Sequence, residues 1–189
     1  MNDQMEEYLV WAHSDLLDSI NRGSYAEFMV HRLLCLPTSS KRISKADHDF
    51  VLPNATRVEV KTCAVWHRGR LFHRDGSTKD PSTMGKVPVH PTKIRFGGLK
   101  ARYGSLLSRP YGNAAFKSDV YIFCFQSEVD VTKWDAQDLK QWEFYVMKQS
   151  DLVNLHVHTS VSLAVLRKCR SSMSAEQFSL FMKEHHIKI

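Results

Sequence analysis

Apolar and polar residues alternate most regularly in RVEVKT, residues 57–62. Because successive side chains of an extended chain point to opposite faces, this pattern predicts a half-buried β-strand. One face holds Val58, Val60 and Thr62, and the other holds Arg57, Glu59 and Lys61. A short apolar run precedes the strand at residues 50–52, and Asn-Ala at 54–55 provides a turn. The whole segment therefore predicts a β-hairpin.

Helical spacing and apolar runs predict the remaining elements. Helices are expected over residues 5–20, from Ser24 onward after Gly23, and as a capped closing helix from Ser174, with strands at 118–126, 142–147 and 160–166. The run at 118–126 is apolar and too short for a helix, which is typical of a central strand buried on both faces. We therefore expect an α/β fold in which helices flank a mixed β-sheet core, in a single domain over residues 1–189.

Positive charge is concentrated in residues 66–117, a loop-rich insertion that holds seven of the eight glycines and four of the six prolines. This segment has eleven basic residues against two acidic ones, a balance of +9, so the rest of the chain carries −3 of the total of +6. Its aromatic residues are Trp66, Phe72, Phe96, Tyr103, Tyr111 and Phe116. Cations interleaved with aromatic rings favour nucleic-acid binding, although a solvated loop anchored by its aromatics is the simpler alternative.

We expect the following basic residues to contact DNA: Arg68, Arg70, Arg74, Lys86, Lys93, Arg95, Lys100 and Arg102. The chain has no apolar run of roughly eighteen residues, the length needed to span a bilayer. Its first ten residues include acidic side chains, whereas a signal peptide begins with basic ones. We therefore expect a soluble, cytoplasmic protein without membrane contact.

Two carboxylates are symmetric about the hairpin turn, because Asn54 lies midway between Asp49 and Glu59. Opposed like charges destabilise a hairpin unless a cation lies between them. Lys61 follows Glu59 by two residues and shares its face. Hard oxygen ligands with room for water suit Mg²⁺ or Mn²⁺. A metal ion, two carboxylates and an ammonium group together are suited to phosphodiester cleavage.

At these residues the chain resembles the PD-(D/E)XK nuclease superfamily, which has the restriction-endonuclease-like fold. Asp49 matches the first acid and Glu59-Val60-Lys61 matches the (D/E)XK element, while His48 stands where the motif has proline. The resemblance covers residues 23–63. It implies that Asp49, Glu59, Lys61 and Glu27 are catalytic and that Asp49, Glu59, Val60 and Glu27 hold the metal. It further implies an endodeoxyribonuclease of the restriction type, acting on double-stranded DNA as a homodimer.

Several alternatives stay open on the sequence alone. Glu59 and Lys61 are also compatible with the solvated outer face of an ordinary amphipathic strand. Glu27 could close a capping box with Ser24 instead of joining the site, and Asp47 could replace Asp49 as the first acid. A Holliday-junction or other structure-selective nuclease, an RNA-directed nuclease, and a nucleic-acid-binding module that does not cleave would all carry the same charge pattern.

Overall fold

The computed structural model describes residues 3–37, 48–67, 71, 73, 77–79, 93–100 and 114–185. In chain order the elements are α1 (Asp3–His13), α2 (Ser19–Leu33), β1 (Phe50–Val51), β2 (Arg57–Ala64), β3 (Arg95–Phe96), β4 (Val120–Gln126), a 3₁₀ turn (Leu139–Gln141), β5 (Trp142–Lys148), α3 (Gln149–Asn154), β6 (Val161–Ser162), α4 (Leu163–Cys169) and α5 (Ala175–His185). Within these ranges, none of the helices is long and apolar enough to cross a membrane.

Four strands form a mixed sheet in the order β1-β2-β4-β5. β1 and β2 are antiparallel, β2 and β4 are parallel, and β4 and β5 are antiparallel. Every residue of β4 is buried, which confirms the prediction of a central strand at 118–126. The predicted strand at 142–147 is also confirmed, as β5. β3 and β6 pair separately in a two-stranded ladder.

The sheet is buried on both faces, because its strands supply apolar side chains to two separate cores. On one face, Val58 and Val60 pack with Val30 of α2 and Phe178 of α5. On the other face, the aromatic residues of β4 pack with β3 and α4, as Phe123 does with Phe96 at a ring-centroid distance of 5.2 Å. The α/β class, with helices flanking a mixed sheet, is therefore confirmed.

The first two helices differ from the prediction. The expected helix over residues 5–20 is interrupted, since α1 ends at His13 and α2 begins at Ser19. Asp18 is the N-cap of α2, and its carboxylate accepts the N–H groups of Ile20 at 2.8 Å and Asn21 at 3.2 Å. This side chain satisfies two of the unpaired donors that every helix start exposes, so the helix begins before Gly23 rather than after it.

Gly23 therefore lies inside α2, where glycine is an unfavourable residue. A methyl group added at this position would meet no atom within 4 Å in the part of the chain that the structure describes. We expect Gly23→Ala to raise the free energy of unfolding by about 0.5–1 kcal/mol, because alanine loses less backbone entropy on forming a helix. Chemical denaturation of the two proteins measures the difference. A lower stability of the variant would contradict the placement of Gly23 within the helix.

Two further elements near the C-terminus have clear local causes. The predicted strand at 160–166 is wrong beyond Ser162, whose hydroxyl accepts the N–H of Val165 at 3.3 Å and caps α4. The closing helix is confirmed. The hydroxyl of Ser174 accepts the N–H of Gln177 at 3.3 Å, and the Gln177 side chain accepts the N–H of Ser174 at 2.9 Å, which forms a capping box.

Candidate active site at the β1–β2 hairpin

The hairpin has the register that a symmetric turn at Asn54 predicts. Phe50 pairs with Val58, and Val51 pairs with Arg57. The Asn54 side chain accepts the N–H of Thr56 at 3.1 Å, and Ala55 adopts a left-handed φ of 66°. An asparagine that bonds to the backbone two residues ahead stabilises a tight turn. The local sequence thus fixes which residues of the two strands face each other.

Asp49 departs from this register by one residue. Its backbone N–H donates to the carbonyl of Val58 at 2.9 Å, although Val58 is already the partner of Phe50. Asp49 lies in a bend just before β1, so the alternation of the strand does not fix the direction of its side chain. The Asp49 carboxylate turns toward β2, where Oδ2 accepts the N–H of Val60 at 2.7 Å. Asp49 is thereby held beside Val60, which lies between Glu59 and Lys61 in the sequence.

Glu59 and Lys61 form an ion pair in which Oε1 and Nζ are 2.6 Å apart. Their side chains are only 17% and 22% exposed, respectively. The hydroxyl of Ser118, just before β4, donates to Oε2 of Glu59 at 3.4 Å. The two residues share one face of β2, as predicted, while Val58 and Val60 are buried on the other. A fully solvated outer face, the simpler alternative for this strand, does not describe these two side chains.

The pKa of Asp49 is raised from its ordinary value to about 7. Burial is the largest cause, followed by repulsion from the carboxylates of Glu59 and Glu27. The hydrogen bond from Val60 and the charge of Lys61 act in the opposite direction but are weaker. The carboxylates of Glu59 and Glu27 are therefore each close enough to repel that of Asp49, and a bound cation would relieve that repulsion.

Glu27 belongs to this acidic group and is not a helix cap. Because α2 begins at Ser19, Glu27 and Ser24 both lie within the helix, so the capping-box alternative is wrong. The preceding residue, Ala26, is fully buried against the sheet, and Glu27 is close enough to Asp49 to raise its pKa. Asp47, the alternative first acid, lies outside the described residues.

We expect Glu27→Gln to lower the pKa of Asp49, because one of its two repelling charges is removed. The stability loss of about 1 kcal/mol that follows removal of a helix cap should not occur. An NMR titration of the Asp49 carboxyl carbon measures the pKa directly. Glu184→Gln, on the exposed surface of α5, is the matched control. An unchanged Asp49 pKa in Glu27→Gln would show that Glu27 is not part of the group.

A glycine loop, formed by Gly97 and Gly98, follows β3 and lies against Lys61. A methyl group on Gly98 would lie 3.6 Å from Nζ of Lys61, and Gly98 has a φ of +68°. Leu99 follows Gly98, and its carbonyl accepts a hydrogen bond from the hydroxyl of Tyr121 at 3.2 Å. Tyr121 is the cross-strand partner of Glu59. Neither this loop nor Ser118 was identified from the sequence. The two adjacent glycines at 97 and 98 were the available signal for the loop.

The residues at the hairpin fit an open site for Mg²⁺ or Mn²⁺ better than a closed protein cage. In the described part of the chain, no group of three or more His, Cys, Asp or Glu side chains is arranged to hold a metal ion. Mg²⁺ often binds through one or two carboxylates and keeps several waters or phosphate oxygens. Asp49 and Glu59 can supply those carboxylates. The carbonyl of Val60 lies on the same strand edge as its N–H, which Asp49 accepts.

Part of the predicted DNA surface can be located. Lys93 and Arg95 are exposed, and Nζ of Lys100 lies 4.7 Å from the ring centroid of Phe116. Trp66 and Phe96 are buried in the core, so the prediction that these two aromatics contact nucleic acid is wrong. These two rings anchor the segment to the core, because burying a large apolar ring is favourable. Arg68, Arg70, Arg74, Lys86 and Arg102 lie outside the described residues.

The arrangement brings together a carboxyl group that titrates near neutral pH, a second carboxylate and an ammonium group in contact with it. Such groups can bind a divalent cation and a phosphate and can orient a water molecule. Comparison of the chain with protein-family models, with curated proteins and with solved structures found no match.

Proposed function

We propose that this protein is a Mg²⁺- or Mn²⁺-dependent endonuclease that hydrolyses phosphodiester bonds in double-stranded DNA, with a restriction-endonuclease-like core. The observation that carries the proposal is the convergence of Asp49, Glu59 and Lys61 at one half-buried place, with Glu27 adding a third acid. Burial of Asp49 and repulsion from the carboxylates of Glu59 and Glu27 disfavour its ionised form, which a bound cation would favour. A carboxyl group perturbed in this way beside an ion pair supports a functional role.

Each residue has a separate task in this proposal. Asp49, Glu59 and the Val60 carbonyl would hold the metal, and Glu27 adds negative charge beside Asp49. A bound divalent cation lowers the pKa of its water and polarises the phosphate. Lys61, held by Glu59, orients the attacking water and offsets the negative charge that develops on the phosphate. Because metal binding requires the ionised form of Asp49, metal affinity should increase with pH through neutrality.

DNA is the preferred substrate because the cations of residues 66–117 lie in the same connection as the glycine loop that covers Lys61. Phosphate contacts from lysine and arginine supply most sequence-independent affinity for nucleic acid. A two-fold homodimer would present two identical sites to the two strands of a duplex. Cleavage of a restriction type or of a branched junction would differ in how the two sites are spaced.

A nucleic-acid-binding module that does not cleave is the second candidate. The direct contact between Glu59 and Lys61 favours it, because each charge already has a partner without a metal ion. This module would retain salt-sensitive DNA binding through the basic segment. It would not require Mg²⁺ for any activity.

Incubation of supercoiled plasmid, a four-way DNA junction and single-stranded RNA with the protein separates these candidates. With Mg²⁺ or Mn²⁺ we expect cleavage of DNA that EDTA abolishes, and a dimer should leave paired cuts with a fixed stagger. End sequencing then gives the cut position. Tight, salt-sensitive binding without cleavage under any metal condition would refute the nuclease and support the binding module. Cleavage of RNA alone would change the substrate class.

A further inference from the structure

We propose that the loop formed by Gly97 and Gly98 binds a second phosphate of the polynucleotide, adjacent to the phosphate that is cleaved; the identity of the substrate rests on the proposed function. The loop lies against the candidate active site, since a methyl group on Gly98 would be 3.6 Å from Nζ of Lys61. A phosphate bound there would belong to the same DNA strand as a phosphate at Lys61, because neighbouring phosphates of one strand are only a few ångströms apart.

The loop offers hydrogen-bond donors that the protein does not use. Among the described residues, none accepts a hydrogen bond from the backbone N–H of Gly97 or of Gly98. Both residues are exposed and carry no side chain that could shield these groups. Backbone N–H groups that point into solvent at a left-handed glycine are common contacts for anionic oxygen atoms. The two glycines thus allow a phosphate to approach the backbone closely.

The backbone on each side of the loop is fixed, so the donors are held in place. β3 pairs with β6 immediately before the loop, through Arg95 with Ser162 and Phe96 with Val161. Immediately after it, the N–H of Leu99 donates to the carbonyl of Thr159 at 3.1 Å. The Leu99 carbonyl also accepts the hydroxyl of Tyr121. A preorganised loop binds its ligand without a further ordering cost.

Glycine at position 97 has no evident role in the fold. Gly98 needs to be glycine because of its left-handed φ, but Gly97 is not among the residues with positive φ. A methyl group at Gly97 would meet no atom of the described residues within 4 Å. Lys93, Arg95 and Lys100 lie within four residues of the loop in sequence, and their positive charge favours a phosphate nearby.

The test replaces Gly97 with leucine and measures binding of a fluorescein-labelled DNA duplex in EDTA. We expect Gly97→Leu to weaken binding by about tenfold or more, with an unchanged melting temperature, because the leucine side chain would keep the charged phosphate from the backbone N–H groups. Gly23→Ala, at the other described glycine with open space, is the control and should bind as the wild type does. The duplex is then prepared with single phosphates replaced by uncharged methylphosphonates. One such replacement should weaken the wild type and not Gly97→Leu.

The outcomes distinguish this inference from the proposed function. Equal duplex binding by the wild type and Gly97→Leu would overturn the inference, whether or not DNA is cleaved. A wild type that binds duplex but never cleaves it would refute the nuclease, and the comparison with Gly97→Leu would still decide whether the loop holds a phosphate. A wild type that does not bind duplex would overturn both. A methylphosphonate effect that is equal in both proteins would place the phosphate contact elsewhere.

Discussion

Replacing Lys61 with alanine is expected to reduce the rate of DNA cleavage by about 10²–10³-fold while leaving the affinity for uncleaved duplex nearly unchanged. Lys61 is one cation among many that attract the DNA backbone, but it is the cation in contact with Glu59. Its charge therefore matters most when negative charge develops on the phosphate at the reacting centre. The ground-state complex should lose little, because phosphate contacts spread over the basic segment supply the affinity.

Single-turnover cleavage of a labelled duplex, with binding measured separately in EDTA, gives the two quantities independently. Lys183→Ala is the matched control, because Lys183 is an exposed lysine on α5, which packs on the opposite face of the sheet. This control should change neither the rate nor the affinity. A Lys61→Ala variant that loses affinity and rate in equal proportion would make Lys61 a binding residue only. A variant with unchanged rate would remove it from the mechanism.

Asp49→Asn should abolish metal-dependent cleavage and, at the same time, make the protein more stable above neutral pH. The pKa of Asp49 is raised from 3.8 to about 7 in the folded state, so the folded protein disfavours its charged form. One pKa unit corresponds to about 1.4 kcal/mol, which makes the penalty on the order of 4 kcal/mol once the group is ionised. Asparagine carries no charge and retains an oxygen that can accept the N–H of Val60.

The pH dependence follows from the direction of the shift. Below pH 3.8, Asp49 is protonated in both the folded and the unfolded states and costs no stability. Between pH 3.8 and about 7 only the unfolded state releases the proton, so the wild type becomes less stable as pH rises. Above about 7 the full penalty applies. The advantage of Asp49→Asn should therefore be absent at low pH, grow through this window and then remain constant.

Urea denaturation of the wild type and Asp49→Asn across this pH range measures the difference in free energy of unfolding. Glu184→Gln, which changes an exposed carboxylate, is the control. Asp138→Asn is unsuitable for this purpose because Asp138 caps the 3₁₀ turn. Glu184→Gln should show no such pH-dependent gain. A constant difference between Asp49→Asn and the wild type at all pH values would mean that the carboxyl group of Asp49 is not perturbed in the fold.

The sequence predicted the hairpin and the shared face of Glu59 and Lys61 because both depend on local alternation, and it predicted β4 from an unbroken apolar run. A turn centred on Asn54 fixes the register, and the period of two puts Glu59 and Lys61 on one face. The position of the Asp49 carboxylate was not predictable in this way. It depends on a hydrogen bond between the Asp49 carboxylate and Val60 that no alternation pattern encodes.

The start of α2 was missed because two signals in the sequence compete. Gly23 and Ser24 have the typical composition of a helix boundary, but the Asp18 carboxylate caps the helix earlier and tertiary packing of Val30 stabilises it. Similarly, SVSLAVL fits a strand or a buried helix equally well until Ser162 caps α4. The approach of Gly98 to Lys61 joins distant parts of the chain, and such contacts leave no local pattern.

A calorimetric titration of the protein with Mn²⁺ near neutral pH shows whether the hairpin binds a metal ion, and it requires no substrate. We expect the wild type to bind Mn²⁺ and to release a proton as it does so, since Asp49 is partly protonated at this pH. Asp49→Asn and Glu59→Gln should bind far more weakly. A wild type that shows no Mn²⁺ binding, or variants that bind as tightly as the wild type, would contradict a metal site at the hairpin.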